Sequence, residues 1–296
     1  MSSDHRLGVD LGGTKIEAAL VAADGTVISS RRAPTPSGDY RGTLEAIRDL
    51  VQGLESDEGV PPAPLGIGVP GSLSPGSGLM RNANSTCLNG QPLGTDLEQI
   101  LDRPVRLAND ANCLALSEAV DGAAAGAHTV FGVILGTGVG GGVVVNGELV
   151  MGHNAVAGEW GHMPLPWPTT AESPGEACYC GRHGCLETWL SGTAVEAEAR
   201  REGMTITQAT DMATSPDAAE LLDRWLDRLA RSFAVVINIL DPDVIVVGGG
   251  LNRIDAIYSE ISPRLVDLVF SDVVSTRIVP AMHGDSSGIR GAARLW

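Results

Sequence analysis

The chain has 296 residues, 43% hydrophobic and 19% charged, which suits two folded domains and argues against intrinsic disorder. Its 36 acidic and 20 basic residues give a net charge of −16. A field of that sign repels phosphate backbones, and 4% aromatics leave few platforms for stacking bases, so nucleic-acid binding is excluded as the main task.

The chain opens Met-Ser-Ser-Asp-His-Arg, with no apolar segment of a secretory signal. A cytoplasmic protein with no membrane span is expected. Residues 8–28 read as strand, glycine turn, strand, a hairpin turn at Asp24-Gly25, and strand. Residues 43–54 form an amphipathic helix, with Leu44, Ile47, Val51 and Leu54 on one face, stopped by Pro61-Pro62. Residues 65–69 are a buried strand running into Pro70-Gly71, and residues 105–107 are another. A helix over 111–120 follows Asn109-Asp110.

Residues 132–150 repeat the opening pattern, with a glycine turn at 136–138 and a hairpin turn at Asn146-Gly147. The match points to an internal duplication. Residues 163–177 form a Pro-rich loop. Residues 218–240 are a long helix with Leu222, Trp225, Leu229, Phe233, Val236 and Leu240 as its apolar stripe, and Pro242 stops it. Residues 243–247 are a buried strand ending in Gly248-Gly249-Gly250. Strands alternate with helices in both halves, which predicts two α/β domains with a cleft between them.

Gly136, Gly138 and Gly141 have the dinucleotide-binding spacing, but a strand follows where that motif needs a helix. No Walker A motif is present. The two glycine turns instead offer backbone N–H groups to phosphate oxygens, with hydroxyls from Thr14 and Thr137. Asp10 ends the first strand, where a carboxylate can hold Mg²⁺ or its waters. Three of the five cysteines, Cys178, Cys180 and Cys185, fall within eight residues. That density suggests Zn²⁺, with His162 or His183 as the fourth ligand. Asp110, between a strand and a helix, reads equally as a helix cap or as a general base.

Asp10-Leu11-Gly12-Gly13-Thr14-Lys15, paired with Gly136-Thr137-Gly138, resembles the sugar kinase, Hsp70 and actin ATPase superfamily. Glu159-Trp160-Gly161-His162 and the run from Cys178 to Glu187 resemble the ROK family of repressors and kinases. Residues 82–92, 107–113 and 283–288 are similar to its bacterial fructokinase (manno(fructo)kinase) branch, although Cys87 stands where an aromatic residue is expected there.

The resemblance implies two actin-like (ribonuclease H-like) α/β domains with an interdomain cleft. These are residues 1–118, rejoined by 285–296, and residues 119–284, with a zinc loop at 162–187. It implies transfer of a phosphoryl group from ATP to the 6-hydroxyl of a hexose, with fructose first and mannose or glucose also accepted. N-acetylglucosamine kinase or glucokinase is the alternative. Asp110 is then the catalytic base. Gly71, Asn84, Asn109, Glu159, His162 and Glu187 bind the sugar. Asp10, Gly12, Gly13, Thr14, Lys15, Gly136, Thr137, Gly138, Gly248 and Gly249 bind the nucleotide with Mg²⁺. His162, Cys178, Cys180 and Cys185 hold a structural zinc. A homodimer is the expected assembly. A sugar-responsive ROK regulator is the competing class, disfavoured because Asp10 leaves no room before it for a helix-turn-helix.

Overall fold

A computed structural model describes residues 5–296. The opening hairpins form as expected, with strands β1 (His5–Leu11), β2 (Lys15–Ala22) and β3 (Val27–Pro34). Helix α1 (Tyr40–Glu58) is longer than its apolar stripe suggested. Asp39 caps it by accepting from Gly42 N at 2.9 Å, and Gly59 closes it in the left-handed conformation. Then come β4 (Leu65–Val69), the short β5 (Ser72–Leu73) and β6 (Met80–Arg81), helix α2 (Leu93–Leu101), β7 (Val105–Asn109) and helix α3 (Asp110–Asp121). The second half carries β8 (Thr129–Leu135), β9 (Val139–Val145), β10 (Glu148–Leu149), α4 (Glu187–Leu190), α5 (Gly192–Arg201) and α6 (Ala219–Leu240). It ends with β11 (Val244–Gly248), α7 (Ala256–Leu265), β12 (Arg277–Pro280) and α8 (Ser287–Ala293).

Two five-stranded sheets result, in the orders β3-β2-β1-β4-β7 and β10-β9-β8-β11-β12. In each, the first three strands pair antiparallel and the last two join in parallel. The duplicated sequence pattern is thus a duplicated topology. One large apolar core lies behind the second sheet, built on Trp225, Phe233 and Leu229 of α6. Another lies behind the first, built on Ile47, Val51 and Leu54 of α1. Cys87 is half-buried against that first core.

Helices α3 and α8 cross between the two sheets. A Cβ on Gly132 of β8 would lie 2.7 Å from the Ala115 backbone of α3, and one on Gly66 of β4 would lie 1.8 Å from the Ala292 carbonyl of α8. Gly291 comes equally close to the Cys113 carbonyl. Two carboxylates of α3 fasten this crossing. Buried Glu118 accepts from Ala123 N, Met282 N, His283 N and Ser287 Oγ at 2.9–3.0 Å. Asp121 accepts from Arg290 Nη2 and Arg294 Nη2, which hold its carboxyl below the usual carboxylate range against the opposing effect of burial. Among the described residues no helix is long and apolar enough to cross a membrane.

Candidate active site

Beta strand β7 delivers Asn109 and Asp110 to the cleft between the sheets. Asn109 is the helix cap: its Oδ1 accepts from Ala111 N at 2.8 Å, and its Nδ2 donates to Gly71 O at 3.2 Å. Asp110 is therefore the first residue of α3 rather than its cap. Its carboxylate also accepts from Ala111 N at 2.8 Å and keeps a face open to the cleft. A helix N-terminus by itself favours an ionised carboxylate. Instead the surrounding protein pushes the Asp110 pKa up, assisted by the negative charge of Glu159 and opposed by the bond from Ala111.

A cavity of about 310 Å³ opens over Asp110. It brings together Gly71, Asn84, Asn109, Glu159, His162 and Glu187, the whole expected sugar set, with Thr137 and Gly138 of the second glycine turn. Sequence reasoning missed Asn82 and Tyr179, which line it too. Tyr179 had a signal, lying between two of the clustered cysteines. Gly71, at φ 81°, makes its close approach to the chain itself: a Cβ there would lie 2.5 Å from Arg81 O.

The turn carrying Glu159 and His162 lies flat on β9. Trp160 anchors it, stacked on Phe233 at 5.6 Å and edge-on to Phe131, with Nε1 donating to Gly140 O at 2.8 Å. Glu187 begins α4, and its Oε2 accepts from Val139 N at 3.0 Å. A side chain on Gly138 would collide with that oxygen. Gly192 N donates to Gly136 O at 2.7 Å, and Thr193 Oγ1 donates to Thr137 O at 2.9 Å. The start of α5 therefore grips the second glycine turn.

Asp10, Gly12, Gly13, Thr14, Lys15, Gly248 and Gly249 lie outside this cavity. The first glycine turn is closed by Gly12 N donating to Lys15 O and by Thr35 Oγ1 donating to Gly12 O. Lys15 is exposed, with its Nζ 3.9 Å from Glu17. Asp10 rests against Gly288 at the start of α8. Burial, and then the charge of Asp110, push its carboxyl up to about 6. Gly249, at φ 81°, passes so close to Leu135 O that no side chain fits, and Gly250 lies beside Gly136. Gly248 is a glycine for a different reason: a Cβ there would strike Leu114 of α3 at 2.2 Å.

The ligand atoms of His162, Cys178, Cys180 and Cys185 all lie within 4.8 Å of one another. Cys178 Sγ is 3.5 Å from His162 Nδ1, and Cys180 Sγ is 3.5 Å from Cys185 Sγ. His162 Nε2 pairs with Tyr179 OH at 2.9 Å. Of the two candidate histidines, the cluster gathers His162; His183 pairs by backbone with Ala177. The loop between is pinned to α6. Arg231 donates to the carbonyls of Pro166 and Trp167 at 2.8 and 2.9 Å, and Arg231 and Arg228 both bond Glu172. Burial opposes ionisation of Glu172, yet the two guanidiniums hold its carboxyl down at about 2.

Proteins of known sequence and structure match this chain throughout. N-acetyl-D-glucosamine kinases from Yersinia pseudotuberculosis and Vibrio cholerae are each 40% identical over 297 residues, covering 97% of this chain and 97% and 98% of theirs. A ROK hexokinase from Thermus thermophilus superposes with a TM-score of 0.85 at 30% identity, over 98% of this chain and 96% of its own. A ROK glucokinase from Streptomyces griseus, solved with glucose and AMPPNP, gives 0.78 at 27% identity over 98% of both chains. The ROK family model matches residues 6–296, and with sequence, fold and cleft in agreement the chain belongs to the ROK family.

Proposed function

We propose that the protein is an ATP-dependent kinase that phosphorylates the 6-hydroxyl of N-acetylglucosamine. The observation that carries a kinase is the single cavity in which the Asp110 carboxylate faces Asn109, Glu159, His162 and Glu187 beside the Thr137-Gly138 turn. A hexose needs several fixed polar partners, and its phosphorylation needs an acceptor for the hydroxyl proton. The choice of sugar follows the relatives. Fructose, expected from residues 82–92, 107–113 and 283–288, is the less supported substrate, because proteins named for N-acetylglucosamine match almost the full chain.

In this reading Asn109, Glu159, His162 and Glu187 orient the sugar so that its 6-hydroxyl meets Asp110. Asp110 takes the hydroxyl proton as the phosphoryl group arrives. Its raised pKa makes it a stronger base than an ordinary carboxylate. Backbone N–H groups of the two glycine turns receive the phosphates, with Gly249 beside the second turn. Asp10 would hold the Mg²⁺ that accompanies ATP, or its waters, and the ion would supply neutralisation of phosphate charge.

The His162, Cys178, Cys180 and Cys185 set fits a closed tetrahedral zinc. Zn–S bonds of about 2.3 Å put sulfur atoms about 3.8 Å apart, near the separations found here. Such an ion has no open position. It would supply rigidity, bracing Glu159 and Glu187, which both line the cavity. The direct test is product analysis: enzyme, Mg-ATP and N-acetylglucosamine should yield the 6-phosphate by phosphorus NMR. Phosphate at another position, or no sugar phosphate, would refute the proposal.

A further inference from the structure

The two ring nitrogens of His162 have different neighbours. Nδ1 faces the cysteines, with Cys178 Sγ at 3.5 Å. Nε2 meets Tyr179 OH at 2.9 Å. The two rings lie edge to face, with centroids 5.0 Å apart and planes at 87°. Tyr179 is itself 67% exposed and lines the sugar cavity with Glu159 and Glu187.

Tetrahedral bonds of about 2.3 Å to sulfur and about 2.0–2.1 Å to nitrogen put S and N about 3.5 Å apart, the separation found between Cys178 Sγ and His162 Nδ1. Nδ1 is therefore the ring atom that would give its lone pair to the zinc. A metal-bound neutral imidazole carries its proton on the other nitrogen. Nε2 is then a donor, and Tyr179 OH accepts from it. With both nitrogens engaged, the imidazole has nothing left for a substrate hydroxyl. The phenol does, because a hydroxyl that accepts one bond still has its own proton to give. Among the described residues His162 is the one hydrogen-bond partner of that hydroxyl.

We infer that Tyr179 is a substrate-binding residue, whose hydroxyl donates to an oxygen of the bound sugar while His162 Nε2 holds it in place. The inference rests on the function proposed above and deepens it: His162, read there as a sugar contact, acts on the sugar through Tyr179. The same bond makes Tyr179 an outer partner of the metal cluster, since it fixes which nitrogen of His162 is free to ligate.

Tyr179→Phe keeps the ring and removes the hydroxyl, and two titrations read its effect. In the first, calorimetry follows N-acetylglucosamine binding, without nucleotide, to protein confirmed to hold one zinc per chain. The Kd of the variant should rise about five-fold, the usual worth of a hydrogen bond between neutral groups, while its Kd for ATP stays within about two-fold of the wild type. In the second, a chelator competes for zinc in the absence of sugar, and the zinc affinity of the variant should fall about 10–100-fold. A sugar Kd within two-fold of the wild type, an unchanged zinc affinity, or a wild type that holds no zinc would each overturn the inference. A wild type that binds another hexose in place of N-acetylglucosamine would overturn the proposed function alone, and the first titration is then read with that hexose. A wild type that binds no hexose overturns both.

Discussion

Glu187 Oε2 accepts a hydrogen bond from Val139 N at 3.0 Å, so a carboxylate of the sugar cavity is bonded directly to the end of the second glycine turn. The sequence separates these residues by nearly fifty positions and suggests a division between a metal-braced sugar site and independent phosphate loops. The structure joins them. Glu187→Ala should therefore raise the KM for sugar about ten-fold or more, the usual worth of a hydrogen bond to a charged group. It should also raise the KM for ATP. Separate titrations of each substrate check this, and an unchanged KM for ATP would show that the Val139 bond does not shape the nucleotide site.

Asp110→Asn preserves size and the bond from Ala111 N but removes the proton acceptor. Its kcat should fall by roughly 10²–10⁴, with the melting temperature near that of the wild type. The raised pKa of Asp110 also places the acid limb of the kcat/KM profile above the ordinary carboxylate range. Asp10, at about 6, feels the charge of Asp110, so that limb belongs to the pair. Near-normal turnover of the variant would remove Asp110 from the chemistry.

Asp10 bears on stability as well. Its folded pKa of about 6 exceeds the ordinary 3.8, so the folded state binds the extra proton between those values. Stability is then lost as pH rises through that window, by at most about 3 kcal/mol. Asp10→Asn should raise the melting temperature of the nucleotide-free protein at pH 7.5, and the gain should vanish near pH 4. Thermal scans at the two values decide it; equal gains at both would show that the carboxylate is not the cause.

Much of this architecture is readable in the sequence because the signals are local. The glycine turns, the apolar stripe of α6 and the spacing of Cys178, Cys180 and Cys185 each announce themselves within a short window. What stays hidden is set by tertiary contact. Helix α8 contains Gly288 and Gly291, which look like helix breakers, yet Gly291 is required where α8 crosses Cys113. Helix α5 has little apolar stripe, yet its start grips the second glycine turn. The bond from Val139 N to Glu187 involves a backbone group, which carries no sequence signal at all.

The metal cluster gives a fourth expectation. Purified protein should carry about one zinc per chain, and Cys180→Ser should lose it. Structural zinc contributes on the order of 10 kcal/mol to a small site, so the variant should melt markedly lower. Its KM for sugar should rise more than its KM for ATP, because the cluster braces Glu159 directly and reaches the glycine turn only through Glu187. Elemental analysis with thermal scans and the two titrations checks this. A zinc-free wild type of full activity would contradict it.

The central claim is the transfer of phosphate to N-acetylglucosamine, and the most direct measurement is sugar-dependent ADP release by the purified enzyme across N-acetylglucosamine, glucose, mannose and fructose. The highest kcat/KM should fall on N-acetylglucosamine. A higher value for fructose, or ADP release that no sugar stimulates, would contradict the account.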